Sequence, residues 1–542
     1  MRRSTFLSAK KPFPAQVAAH LLDGCSGRPI DLSGTLVIVP TSGAARAIKN
    51  ELARQARGVL LPSFRLPLQA MLPEDDNIAS SLEQLTAWVQ VLSDTSRRKY
   101  SALVPPAVKL TSPEDWVGVA ARLNTVCDVL GEAGLNPGLD ELLEFASQDA
   151  TRWKEFAGLH AAYLSLLAKN SLVAANALRC QRAESGEVPA GIDRIVVALV
   201  PDLPPIVSSW LTRARERGVS VDALSWDCNV SDAQFDEWGR PDTRWWTTHR
   251  VPVPLEVILP QNSVREEAAA LVEFAARDWN SSFSLIAADA DSANALAAEV
   301  AARQAQPYLP EGKPLSQTEA ATVLAAWEEF NASHSLRRFR SLLQLPTFAR
   351  FFALQSGLTN HESAAACDQL CSLKLCQTVE SASEWSRAGH KRHPEDESLY
   401  KFAAGMENLL AGKLSGRALL SELYRGETLE DRTSSEMETL VEALEDGEGS
   451  ALVLNQPEAM RAALRRRRLE NGRVFLPAAE GEVEIRGWLE APWSDASTLC
   501  LSGCREGSLP SGTHEDAFLP DGLRAKLGLA SDASRYARDA YL

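Results

Sequence analysis

What this chain lacks narrows its classes first. It has no apolar run near the roughly 20 residues that span a bilayer as a helix. Arg2 and Arg3 are followed by Lys10, Lys11 and Pro12 rather than by an apolar stretch, so no signal peptide is expected. Cysteine is sparse: nine in 542 residues, an odd number without framework spacing, which suits a reducing cytoplasm. Cys367, Cys371 and Cys376 stand near helical spacing, as do Cys500 and Cys504. A metal would need a fourth ligand in a closed geometry, so Cys367 and Cys371 read as one buried helix face. The eight histidines are scattered, apart from His390 and His393 in a charged, proline-containing loop. Positive charge is in deficit, with 56 Lys and Arg against 71 Asp and Glu and a net charge of −15. Attraction of the whole chain to nucleic acid is thereby disfavoured, which leaves only a local basic groove.

A phosphate loop is also missing. Such a loop needs glycines whose backbone N–H groups surround phosphate, then Lys and a hydroxyl for Mg²⁺. The first strand–helix junction reads Ser8-Ala9-Lys10-Lys11-Pro12-Phe13-Pro14-Ala15. It has no glycine, and its two prolines remove N–H donors. Gly412-Lys413 lies between helices with no strand before it. No tight ATP site is expected.

What is present is ordinary for a globular protein: 45% hydrophobic and 23% charged residues. The length implies about three or four domains or subdomains. Apolar runs of strand length fall at Thr5–Ser8, Leu36–Val39, Ile195–Val200, near Val219–Leu224, and at Ser284–Ala288, and helical periodicity falls between them. That alternation predicts an α/β fold with parallel sheets. Apolar residues at three- and four-residue spacing predict helices at Leu82–Ser93, Trp116–Leu130, Leu139–Phe145, Trp153–Leu167 and Val173–Arg182. Trp153, Phe156 and Tyr163 are then bundle core. A second helical block runs over 335–450, and Leu464 to Arg468 closes the last helix before the final strands. Asp227–Pro260 reads as a polar, Trp-rich connector. Ser263 with Glu266 reads as a capping box. Asp202, after the Ile195–Val200 strand, has no acidic neighbour and reads as a turn residue.

The stretch GEVEIRGWLEAPWSDASTLCLSGCREGSLPSG, residues 481–512, organises the rest. Val483–Leu489 alternates in the strand manner. Thr498–Ser502 is a buried strand that breaks into a Gly-bounded polar loop, where open sheets place ligand contacts. A surface hairpin is the other reading. The helix after Leu36–Val39 starts at Thr41 and Ser42 and carries Arg46, Lys49 and Arg54. Its free N–H groups and dipole suit phosphate, and N-capping by Thr41 or Ser42 is the alternative.

GWLEAPWSDASTLCLSGCREGSLPS resembles the "G-x-L-E-A … l-x-G-x-x-E-G-x-(L/W)-P" segment of AddB-type subunits of bacterial helicase–nucleases. Pro492 stands where that family often has Arg. The tail resembles the family too: Asp516, Pro520, Leu523-Arg524, Leu527-Gly528-Leu529, then Arg535, Ala537 and Asp539. LVIVPTSGAARAIKNELA is similar to the second conserved segment of superfamily 1 motors. LLPSFRLPLQAML fits the next element, and Gly312-Lys313-Pro314-Leu315-Ser316-Gln317-Thr318 matches "G-x-P-(L/F)-S-x-T".

The resemblance implies two RecA-like parallel-sheet domains, each with a helical insertion. The first comprises 1–75 and 191–250, interrupted by helices over 76–190. The second comprises 251–334 and 451–542, interrupted by helices over 335–450. It implies a helicase-like portion, its motor inactive, that engages single-stranded or unwinding double-stranded DNA during recombinational break repair. Thr41, Ser42, Arg46, Phe64, Arg65 and Arg505 would contact DNA in one shared groove. Phe64 is either a base-stacking residue or core. The partner would be an AddA-type helicase–nuclease subunit, the location cytoplasmic, and no membrane is involved. No cofactor is expected in this chain. The family's iron–sulfur cluster, Mg²⁺ and PD-(D/E)xK nuclease would lie in a C-terminal region beyond it, and the chain reads as the N-terminal portion of a longer protein. An ATP-driven superfamily 1 helicase and a helical interaction scaffold without DNA are the alternatives.

Overall fold

The computed structural model describes residues 4–73, 77–138, 149–227, 232–250, 252–277, 282–389, 394–425, 431–445, 449–476, 478–510, 512 and 516–542. The predicted helix Leu139–Phe145 and the pair His390 and His393 lie outside them. The chain packs as two compact units, Met1–Glu311 with Ala478–Leu542, and Gly312–Pro477. The fold is mixed α/β with parallel sheets.

The first unit holds two larger sheets and a two-stranded parallel pair, Ile30–Asp31 with Val59–Leu60. One has five strands: β1 Ser4–Leu7, β2 Thr35–Ile38, β3 Ser63–Arg65, β4 Arg194–Ala198 and β5 Ser220–Trp226. Their order is β1-β5-β4-β2-β3, parallel throughout. Successive side chains of a strand point to opposite faces, and parallel sheets are covered on both. Val37, Val196 and Leu224 accordingly face one cluster with Val17, Leu21, Ile48 and Leu52, from the helices Phe13–Leu22 and Ser42–Gln55. Leu36, Ile38, Ile195 and Val197 face another with Trp210 and Leu211 of the helix Pro205–Glu216.

The other sheet has β6 Phe283–Ala287, β7 Pro307–Tyr308, β8 Val483–Gly487 and β9 Thr498–Ser502, in the parallel order β9-β6-β8-β7. Leu285, Ile485 and Cys500 pack against the helices Val264–Arg277 and Ala290–Ala302. Ser263 Oγ accepts from the Glu266 N–H at 3.2 Å. The Glu266 carboxylate reaches the Asn262 N–H rather than that of Ser263, so the cap is only partly the reciprocal box expected.

Between β3 and β4 the chain makes the helices Ser81–Asp94, Pro113–Glu132, Ala150–Lys169 and Ala175–Ser185. Trp153, Phe156 and Tyr163 are buried there as core. Two capping boxes, Ser80 with Glu83 and Ser112 with Asp115, start the first two helices.

The second unit is helical and larger than the block expected over 335–450. A short antiparallel pair, Lys313–Pro314 with Arg473–Val474, joins its two ends. Its core is aromatic: Phe339 meets Phe330, Phe352 and Phe402 with ring centroids 4.9–5.6 Å apart.

Three local expectations are corrected. The strand from Val483 stops at Gly487, and Trp488–Trp493 is a 3-10 turn containing Pro492. The arginines Arg465–Arg468 lie within the helix Glu458–Asn471, which runs on three residues beyond Arg468. There Arg465 pairs with Glu458 at 3.0 Å and Arg467 with Glu470 at 3.3 Å. The Trp-rich connector is anchored in the core, with Trp238 and Trp246 buried and Phe235 packed edge-on against both Trp246 and Tyr541.

Candidate functional site

The carboxyl end of β2 leads through Pro40 to Thr41, whose extended backbone stops the strand and whose Oγ1 accepts from the Ala44 N–H at 3.1 Å. Ser42 is the first helical residue. Glu490, from the 3-10 turn after β8, is buried against this helix end. Its carboxylate lies where a Cβ on Gly43, the residue two after Thr41, would be. A carboxylate suits the positive end of a helix. Burial pushes the Glu490 carboxyl above its ordinary value, against the pull of Thr41, Arg486 and Arg46. The helix end that the sequence offers to phosphate is thus met by the protein's own anion.

Arg46, one turn along, forms an ion pair with Glu484 and donates to the Tyr308 hydroxyl at 2.9 Å. Arg486 holds the other Glu484 oxygen at 2.9 Å. Only a cavity of about 80 Å³ remains among Gly43, Arg46, Glu484 and Glu490.

Phe64 and Arg65 lie on the neighbouring strand, opposite Val37 and Ile38. Phe64 is half-buried, with the Lys49 ammonium 5.2 Å from its ring centre. The Arg65 carbonyl accepts from the Val39 N–H at 3.1 Å.

Arg505 follows β9. Its Nη2 donates to Asp289 Oδ2 at 2.8 Å and its Nε to Ser508 Oγ at 3.1 Å. Asp289 also caps the helix Ala290–Ala302 through the Ser292 N–H at 2.8 Å. Burial opposes ionisation of Asp289, but Ser508, Ser292 and Arg505 together hold its carboxyl below the ordinary value. Gly503 has φ +91° and passes close over Ser292, where a Cβ would not fit, and its N–H donates to Glu267 at 2.8 Å. Thr41, Ser42, Arg46, Phe64 and Arg65 therefore gather at the carboxyl ends of β2 and β3. Arg505 is held at the carboxyl ends of β9 and β6.

Sequence reasoning missed the filling of the loop after β1. Gln16 Oε1 accepts from the Ser8 N–H at 3.1 Å, and its amide donates to the Ser8 and Lys11 carbonyls at 2.8 and 3.0 Å. One amide side chain occupies the interior of the loop where phosphates would sit. Asp202 lies in a turn and accepts from Arg538 at 3.2 Å. Arg538 also holds Asp539 at 2.7 Å, to which the Trp488 indole donates at 3.3 Å. A cavity of about 410 Å³ opens beside Asp202 and Arg538. No sequence signal marks the Asp202–Arg538 pair, whose members lie 336 residues apart.

No family model matches this chain, and no curated protein matches it. Among the described residues, no helix is long and apolar enough to cross a membrane. None of them forms a cluster of three or more His, Cys, Asp or Glu placed to hold a metal.

Proposed function

We propose that this chain is the helicase-like portion of an AddB-type subunit, with two RecA-like halves and no ATP-driven motor of its own. It engages single-stranded DNA beside an AddA-type partner during recombinational repair of double-strand breaks. One observation carries the reading. Two of the stretches on which the resemblance rests, far apart in sequence, are spatial partners. Glu490 of GWLEAPW packs on Thr41 and Gly43 of LVIVPTSGAARAIKNELA. Trp493 of the same turn meets Phe13 edge-on at 5.0 Å. The filled loop after β1 supports a motor that does not cycle on ATP.

The DNA reading must accommodate the carboxylates that already hold Arg46 and Arg505. Phosphate would compete with Glu484 and Asp289 for the guanidinium groups, so affinity is modest and falls steeply with salt. The test is fluorescence anisotropy of a labelled oligo(dT) titrated with the whole chain across a salt series. Saturable, salt-sensitive binding without Mg-ATP supports the reading. Absence of binding at the lowest salt rejects it.

A further inference from the structure

At the start of the helix Ser42–Gln55, hydrogen-bond donors are gathered around one small cavity, and the chain's own acids stand among them. Arg46, Arg486 and Trp493 line this cavity of about 80 Å³ together with Glu484 and Glu490. Trp493 is 2% exposed, and its indole N–H has no hydrogen-bond partner among the described residues. A buried donor without an acceptor is costly. Two guanidinium groups, a buried indole N–H and a helix N-terminus together form a donor set suited to a phosphate group.

The two acids are held unequally. Glu484 takes Arg46 on one oxygen and Arg486 on the other. Glu490 is 4% exposed, yet Arg46 and Arg486 act on it through charge alone, while both guanidinium groups give hydrogen bonds to Glu484. A buried carboxylate without a directly bonded cation carries much of its desolvation cost uncompensated. It is held in place by the turn Trp488–Trp493 and by its seat on Gly43. Two carboxylates against two guanidinium groups leave the centre without net charge. A phosphate entering there would meet both acids, and like charges at this range repel. It gains the donors only as the acids lose their charge or swing away.

We propose that Glu484 and Glu490 are a built-in mimic of a phosphate group, an autoinhibitory contact that closes this helix end, and that a phosphate group takes their place on Arg46, Arg486 and Trp493 when their charge is removed. A phosphate supplied by a strand backbone makes the two acids a brake on DNA affinity, and that use of the site rests on the DNA-engaging reading above. A phosphate supplied from solution does not need that reading.

The test is anisotropy of labelled oligo(dT) with the whole chain across a salt series, and calorimetric titration with inorganic phosphate. The variants are Glu484→Gln, Glu490→Gln and the two together. Glu256→Gln, on the exposed connector, controls for net charge. Melting temperatures report whether each variant is folded, and the single changes carry the test should the pair unfold. Gln at either position raises oligo(dT) affinity about three- to tenfold, and Glu256→Gln changes it by less than about twofold. The slope of log affinity against log salt steepens by about 0.7 for the one phosphate newly engaged. Adding Arg46→Ala to Glu490→Gln removes the gain. If the Gln variants take inorganic phosphate while no form of the chain holds oligo(dT), the anion site stands and the DNA-engaging reading falls. If oligo(dT) binds the native chain and every Gln variant alike, with no phosphate heat, the mimic is overturned and the DNA-engaging reading stands. Binding of neither ligand to any form overturns both.

Discussion

The Glu490 carboxylate rests directly on Gly43, at the first turn of the helix Ser42–Gln55, and no side chain larger than hydrogen fits beneath it. Gly43→Ala must therefore expel the carboxylate or shift the helix. Overpacking of this kind costs about 1–3 kcal/mol. Thermal unfolding should show the loss. Glu490→Ala in the Gly43→Ala background should recover part of it, since the two changes act on one contact.

Glu490 also gives a pH signature. Its carboxyl is raised above the ordinary 4.5 by burial. A carboxyl raised in the folded state contributes stability that is fully present below its unfolded value and is lost as pH rises through the folded value. Glu490→Gln cannot ionise. Its stability relative to the native chain should rise as pH increases from 4.5 towards neutrality. Urea midpoints across that window measure the trend, and a flat difference would mean the carboxylate is fully compensated by Thr41, Arg486 and Arg46.

His160 works in the opposite direction. Burial lowers its pKa from 6.5 to about 4, so the folded state resists protonation. The stability this represents is present above 6.5 and is lost as pH falls towards 4, by an amount on the order of 3 kcal/mol. His160→Phe should flatten that part of the acid-denaturation profile.

Strands were easier to anticipate than the contacts between them. A strand buried on both faces of a parallel sheet reads as a continuous apolar run. Leu36 to Val39, Ile195 to Val200 and Thr498 to Ser502 accordingly fall within two residues of the observed strands. Pro307–Tyr308 and Ser63–Arg65 are too short to leave such a run. Trp488 prolonged the alternation by pattern alone, but the chain turns at Gly487 to bring Glu490 to Thr41. At the candidate site the residue types were legible and their partners were not. Nothing local to Arg46 announces Glu484, and nothing near Ser8 announces that Gln16 will fill the loop.

Arg538 is largely buried between Asp202 and Asp539, and Asp539 is the more buried of the two acids, at 4% side-chain exposure. Arg538→Met would leave the Asp539 carboxylate without its cation, and breaking a buried pair from one side costs about 3–5 kcal/mol. Asp202 is half in solvent, so Asp202→Ala should cost about 1 kcal/mol or less. Arg538→Met combined with Asp539→Asn should recover much of the loss. Denaturant midpoints for the three variants test the ranking, and equal losses from Asp202→Ala and Arg538→Met would contradict it.

The loop after β1 carries the last prediction. Gln16 uses its carbonyl and both amide hydrogens on the Ser8 and Lys11 backbone, which fixes the loop in a closed form. A triphosphate would have to displace this side chain and would then meet a loop with no glycine and few free N–H groups. Mg-ATP should give no saturable heat with the native chain. Gln16→Ala should not create a site, because removing the plug supplies neither the lysine nor the N–H cradle that phosphates require. It should instead destabilise the chain by about 0.5–1.5 kcal/mol through the lost hydrogen bonds, since the freed backbone groups are partly open to water. Saturable Mg-ATP binding in the native chain would show that nucleotide is held somewhere other than this loop. Binding gained in Gln16→Ala would show that the loop itself is competent and only plugged.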